Sequence, residues 1–265
     1  MTSEAMKLSW PEPDVALVTM IRGNEMNTLT HEFLNEFADI LDSLETRKVR
    51  AMVITGTGRA FCCGAHLDYF LAENMDEDVR FRLRDHYLER IATLFDRLEK
   101  QRYPIIAAIN GFALGGGCEL ALSCDFRIMA SNTRLGLPEV KLGALAGAGG
   151  VQKLARHVGR SKAIEWILLG IHVTPEEAER RGLLFAIADP RNLMAASMEL
   201  VAQLKALSPR AISQSKSAVY MCEETDLCTA RRIGLDALGM LIDSRDWRIG
   251  IKAFHDKVPP NFDIN

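Results

Sequence analysis

The stretch INGFALGGGCELALSCD at residues 109–125 constrains this chain more than any other. An apolar run stops at three successive glycines and resumes with helical spacing, the signature of a strand that turns directly into a helix. Glycine at such a turn lets the backbone bend tightly and lets another molecule approach it closely. The first N–H groups of the helix have no intrahelical acceptor and sit at the positive end of the helix dipole, so they can hold an oxygen that gains negative charge. Glu119 falls in the first turn of that helix, and Leu137-Pro138-Glu139 supplies a second carboxylate twenty residues later. Three glycines alone serve equally well in a tight turn with no chemistry. Two carboxylates in their company argue for a site.

Around this stretch, strand and helix signals alternate. VALVTMIR (residues 15–22) predicts a strand, and residues 30–44, with Phe33, Leu34, Phe37, Ile40, Leu41 and Leu44 at helical spacing, predict an amphipathic helix. AMVITGTG (51–58) predicts a second strand, completing a β-α-β crossover. A long amphipathic helix over 76–100 then leads to a strand at 104–110, the GGGCE helix, and a strand at 125–130. Thr174-Pro175-Glu176-Glu177 carries an N-cap, a proline at the first helical position and first-turn acids, so a helix runs from there to Gly182. A short strand is expected at 183–189, and the pattern from 192 onward is helical, with breaks at Ser208-Pro209 and Ser244. The class is therefore α/β: a βα core over 1–195 and a helical region over 196–265, with no repeat or low-complexity linker between them.

With 265 residues, 48% of them hydrophobic and 25% charged, the chain can bury a full core. A formal charge of −3, with Lys and Arg scattered among acids, shows no basic stripe and argues against nucleic acid or an anionic membrane as a main partner. The opening MTSEAMKLSWPEPD has no signal-type apolar core, and no apolar stretch reaches the ~20 residues of a membrane span, so a cytoplasmic location is expected. The six cysteines, Cys62, Cys63, Cys118, Cys124, Cys222 and Cys228, lack CxxC pairing and nearby His clusters, and are expected as reduced thiols rather than zinc ligands or a disulfide frame.

Five segments, in order, resemble the enoyl-CoA hydratase/isomerase superfamily, the crotonase-like enzymes. They are the strand and helix over 15–44, VITGTGRAFCCGAHL (53–67), NGFALGGGCELALSCD (110–125), LGLPEVKLGALAGAGGVQKLARHVG (135–159) and GIKAFHDKVPPNF (250–262). The resemblance implies a spiral of ββα turns with a helical C-terminal trimerisation region, assembled as a homotrimer or hexamer. It implies an acyl-CoA substrate whose thioester oxygen is held by the backbone N–H groups of Ala65 and Gly116, an oxyanion hole in which each donor is worth roughly 3 kcal/mol of barrier. It implies Glu119 and Glu139 as the catalytic pair of a hydratase, Glu119 acting on the water and Glu139 mainly delivering the proton. A shared water would couple their titrations. Read as structural residues, Glu119 would balance its helix N-terminus and Glu139 would pair with Lys141.

The resemblance further implies CoA contacts from the backbone around Cys63 and Leu67 and from Lys257, the last often from the next subunit; a solvated tail lysine is the plain alternative. No metal or bound redox cofactor is implied, coenzyme A being part of the substrate. The chain departs from the family pattern at Gly64-Ala65-His66, where GAD is usual, and at Asp68, where a basic residue can help hold CoA. His66 is read as structural rather than catalytic. The proline common before GAGG is missing from Gly143-Ala144-Leu145-Ala146-Gly147, which frees φ in a loop expected to border the acyl pocket. The acyl wall is expected from residues 67–90, and Trp10, Trp166 and Trp247 as core or interface residues.

The expected function is reversible hydration of a 2-enoyl-CoA to a 3-hydroxyacyl-CoA through an enolate. Two other classes compete with it. An enoyl-CoA isomerase or other enolate-forming enzyme would keep the oxyanion donors and often lack one glutamate, and a non-catalytic acyl-CoA binding protein would need neither.

Overall fold

Residues 4–71 and 77–262 are described in the computed structural model of the chain. β1 (Met6–Glu12) and β2 (Val15–Met20) form an antiparallel hairpin that opens the first sheet. β1 has no counterpart in the sequence reading. Pro11 interrupts its pattern and its register slips between Ser9 and Glu12, features tolerated because β1 is an edge strand.

Thr30 caps α1 (His31–Glu45), its hydroxyl accepting from Phe33 N at 3.2 Å, and the helix buries Phe33, Leu34, Phe37, Leu41 and Leu44 as its spacing predicts. β3 (Ala51–Gly56) and β4 (Ala60–Cys62) follow. The long amphipathic helix is α2 (Glu77–Leu83), one wide π turn (Arg84–Leu88) and α3 (Glu89–Glu99); its expected start at 76 lies outside the described residues. Next come β5 (Ile105–Ile109), β6 (Phe112–Leu114), α4 (Gly116–Leu122), β7 (Phe126–Ala130) and β8 (Leu135–Gly136). α5 (Gly150–Val158), α6 (Arg160–Leu168), α7 (Pro175–Arg180), β9 (Ala186–Ala188) and α8 (Leu193–Lys205) complete the core. α9 (Pro209–Cys222), α10 (Leu227–Leu241) and α11 (Arg245–Asp256) end the chain, with breaks at the predicted Ser208 and Ser244, both of which are N-caps.

The first sheet has the order β1-β2-β3-β5-β7-β9 and is parallel apart from its opening hairpin; the second, β4-β6-β8, is parallel throughout. β3/β4, β5/β6 and β7/β8 each give one strand to each sheet, which is the spiral of ββα turns. Side chains alternate across the first sheet. Met52, Ile54, Ile105, Ala107 and Ile109 join the large inner cluster, while Val53, Ile106, Ala108 and Ile128 pack against Leu193, Leu200 and Val201 of α8 on the other face. Both faces are covered, so these strands are apolar runs rather than alternating ones.

The strand expected at 183–189 is shorter, Ala186–Ala188. Its first residues are used otherwise: Leu183 N closes α7 onto Ala178 O, and Leu183 O accepts from the buried Arg127 Nε at 2.7 Å. The strand expected at 15–22 likewise stops at Met20, before a 3-10 turn over Gly23–Glu25. Trp166 is buried, Trp10 lies under Arg47, and Trp247 is exposed. Cys62, Cys118 and Cys124 are buried, and all six thiols are free. Among the described residues no helix is long and apolar enough to cross a membrane, and no cluster of His, Cys, Asp and Glu has metal-binding geometry.

Candidate active site

β4 and β6, parallel neighbours in the second sheet, both run into glycine turns. Gly64, at φ +86°, takes a left-handed conformation that suits glycine, and a Cβ there would stand 2.7 Å from Gly116 N. A Cβ on Gly116 would in turn lie 3.6 Å from Ala65 N. The backbone nitrogens of Ala65 and Gly116 therefore sit side by side, one after each strand. Gly116 is the first residue of α4, so its N–H has no intrahelical acceptor.

Glu119 lies one turn further along α4 and is 4% exposed. Its Oε1 accepts from Ala148 N and from Gly150 N, each at 2.8 Å. Gly150 opens α5, so this carboxylate satisfies an otherwise orphaned N–H of a different helix from its own. The approach requires glycine, since a Cβ on residue 150 would stand 2.7 Å from Glu119 Cγ. Burial pushes the Glu119 carboxyl up to about 7, opposed by the Gly150 N–H and reinforced by the negative charge of Glu139.

Glu139 begins a 3-10 turn (Glu139–Leu142) after β8. Its Oε1 lies 3.0 Å from where a Cβ on Gly115 would stand, beside the turn into α4. Its Oε2 is buried with no hydrogen-bond partner, and burial raises its carboxyl above the ordinary value. It makes no ion pair with Lys141, whose stem lies against Gly170. Burial thus raises both carboxyls, and the negative charge of Glu139 adds to the rise at Glu119, so the two titrate as a coupled pair.

A polar frame steadies this arrangement. Lys153 on α5 donates to Ser123 Oγ at 2.8 Å and pairs with Glu99 at 2.6 Å, while Ser123 Oγ donates to Glu119 O at 2.9 Å. Arg127 holds the far end of α4 through Ala121 O and Cys124 O. On the opposite wall Tyr87, from the π turn, accepts from His66 N at 2.8 Å and donates to Leu29 O at 2.5 Å. These residues escaped the sequence reading, as did the N–H groups of Ala148 and Gly150. Only the GAGG glycines hinted at the latter.

Of the other predicted residues, Cys63 is half-buried and its N–H donates to Met26 O at 3.0 Å, while Leu67 is exposed on the same rim as Ala65. His66 is engaged by the fold: Nδ1 lies 3.1 Å from Thr28 Oγ1 and the ring packs edge-on against Tyr69. Asp68 points outward, 3.5 Å from His66 Nε2. Lys257 ends α11 at φ +57° and is exposed.

A family model described as enoyl-CoA hydratase/isomerase matches residues 12–265. The chain is 36% identical to a short-chain-enoyl-CoA hydratase of Clostridium acetobutylicum over 248 residues, 93% of each protein. It is 34% identical to a crotonyl-CoA hydratase of Syntrophomonas wolfei over 95% of each. The crystal structure of an enoyl-CoA hydratase from Bacillus anthracis superimposes with a TM-score of 0.90 at 32% identity, covering 97% of this chain and 98% of that one. By sequence, by fold and by the ββα spiral itself, this chain belongs to the enoyl-CoA hydratase/isomerase family.

Proposed function

We propose that the protein is a hydro-lyase that reversibly adds water to a 2-enoyl-CoA thioester, giving a 3-hydroxyacyl-CoA. The observation that carries this reading is a pair of carboxylates, Glu119 buried and Glu139 half-buried with one oxygen out of solvent. Glu119 is fixed by two backbone N–H groups on one oxygen, and Glu139 beside it keeps an oxygen with no protein partner. A water between them satisfies both.

The thioester oxygen lies between Ala65 N and Gly116 N. As water oxygen bonds to Cβ, its proton passes to Glu119, the π electrons move onto the thioester oxygen as an enolate, and Glu139 delivers a proton to Cα. The pair begins and ends the step with one proton, so its charge is unchanged. Burial favours the protonated form of both carboxyls, so in the free protein that proton is shared by the pair. Exchange through the shared water brings it to Glu139 before attack, so base and acid name the step rather than the resting state. Neither metal nor redox cofactor enters this scheme, and its site of action is the cytoplasm.

Two further elements belong to the same proposal. The strip from Cys63 to Leu67 holds the CoA moiety, with Lys257 reaching it from a neighbouring subunit. The assembly is a homotrimer or a pair of trimers built through the C-terminal helices, whose Leu235, Leu238, Met240 and Phe254 are exposed. An isomerase of this family needs the oxyanion donors and one acid, so the second acid favours hydration. Mixing purified protein with crotonyl-CoA tests it: the absorbance of the conjugated thioester falls if water adds, and an unchanged spectrum contradicts the proposal.

A further inference from the structure

At the N-terminal ends of β3 and β5 lies a cleft of about 1190 Å³. Its walls come from the segments that precede β3 and β5 and from the starts of α9 and α11. Glu119 and Gly116 instead follow β5 and β6 in the same turn of the spiral. The five residues of β5 alone separate the two regions by about 16 Å.

The cleft is lined by nine cationic and three acidic side chains, on a chain whose formal charge is −3. The acids are already engaged: Asp14 by Lys205, Glu45 by Arg97, and Asp246 by Ser208 Oγ at 2.6 Å. Lys48, Lys100, Arg102, Arg210 and Arg245 make no ion pair or side-chain hydrogen bond among the described residues. Ser208 is neutral, so Asp246 keeps its charge in the cleft, and holding five cations against that one acid around a concavity is unfavourable until an anion enters, while the concavity focuses their field. The floor carries an independent signal. Tyr103, 7% exposed, has a hydroxyl with no hydrogen-bond partner, a vacancy that a buried polar group rarely keeps. The walls belong to this chain's own core, because Arg50 donates to Lys205 O at 2.6 Å and Leu207 O at 2.9 Å, fixing the α8–α9 corner beside β3.

We propose that this cleft is a second ligand site, separate from the Glu119 site, for a small molecule carrying two or more linked phosphate groups. Guanidinium groups at Arg102, Arg210 and Arg245 suit bidentate phosphate contacts, with Lys48 and Lys100 as point charges around them. The same chemistry is presented by a free nucleoside diphosphate and by the diphosphate of coenzyme A.

Calorimetric titration of the assembled protein with pyrophosphate, ADP and coenzyme A decides it. The wild type is expected to bind pyrophosphate and ADP saturably, with affinity falling as salt rises. Combining Lys100→Gln, Arg102→Gln and Arg210→Gln should weaken both at least tenfold while leaving turnover of crotonyl-CoA unchanged, and Glu119→Gln should leave both affinities unchanged. Because the Cys63–Leu67 strip is proposed to hold coenzyme A as well, the stoichiometry separates the two sources: a second coenzyme A binding event that the triple variant loses assigns the cleft to the coenzyme's diphosphate, and a single event unchanged in the variant assigns it to free nucleotides. Should the triple variant fold poorly, Tyr103→Phe serves: it should weaken pyrophosphate without loss of thermal stability. Absence of saturable binding, equal binding by wild type and variant, or a change in oligomeric state on removing the charges overturns the proposal, the last by making the cleft a subunit contact.

Discussion

The carboxylate site and the C-terminal helices handle buried surface in opposite ways. At the site, the frame is made within one chain: Glu119 is clamped by Ala148 and Gly150, α4 is tied to α5 through Ser123 and Lys153, and Tyr87 holds His66 N beside Ala65. In α9 and α10 no residue is buried, and in α11 only Ala253 is. Phe254 is 80% exposed and Met240 69%, in helices held to the core mainly by polar anchors such as Lys216 on Asp125 at 2.7 Å. A side chain that does chemistry must be held within one protomer to tolerances finer than an ångström. A surface that assembles subunits stays apolar and unpartnered until another copy covers it.

The sharpest way to break this comparison is to charge the second region alone. Leu238→Asp combined with Phe254→Asp should convert the proposed trimer or hexamer to a monomer in sedimentation while leaving the circular dichroism unchanged. A loss of folded core on the same substitutions would mean that the helices and the site form one cooperative unit.

The next effect concerns the cost of the buried acid. The Glu119 carboxyl is raised from 4.5 to about 7 in the folded state, so the fold favours its protonated form. Its stabilising contribution is fully present below pH 4.5 and is lost as pH rises through about 7. The difference amounts to roughly 3 kcal/mol. Glu119→Gln keeps an acceptor for Ala148 and Gly150 without the charge. Denaturant unfolding should show the variant gaining on wild type between those two values and levelling off above pH 8. A gap that does not vary with pH would mean that Glu119 is not held in a proton-favouring site.

The smallest effect is at the rim. Asp68 is exposed and lies beside the proposed CoA strip, so Asp68→Lys should lower the Michaelis constant for a CoA thioester at low salt by under about 1 kcal/mol of binding, fading as salt rises. Turnover should hold. A fall in turnover would place this segment in support of Ala65 rather than of the ligand's phosphates.

What the sequence made legible follows the same division. Glu119, Glu139 and the glycine turn are side-chain and glycine signals in contiguous motifs, and the strand and helix order came from hydrophobic period. The clamp on Glu119 is made by backbone N–H groups, which leave no residue-type trace beyond the glycines that permit it. Lys153 and Glu99 lie 54 residues apart and meet only because α3 packs against α4 and α4 against α5. β1 hid behind Pro11, and the π turn hid because Tyr87 continued an apolar face that a regular helix would also show. Leu183 and Leu184 carry a strand-like pattern, but the backbone there is committed to closing α7 and holding Arg127.

The central claim is that Glu119 and Glu139 act as one unit, and a double-mutant cycle on crotonyl-CoA hydration tests it most directly. Each single Glu→Gln change should lower turnover by roughly 10²–10⁴-fold in a protein that keeps its fold and assembly. The double variant should be little worse than the poorer single one, because removing either acid already breaks the shared proton path. Losses that multiply in the double variant, or near-wild-type turnover in either single one, would contradict it.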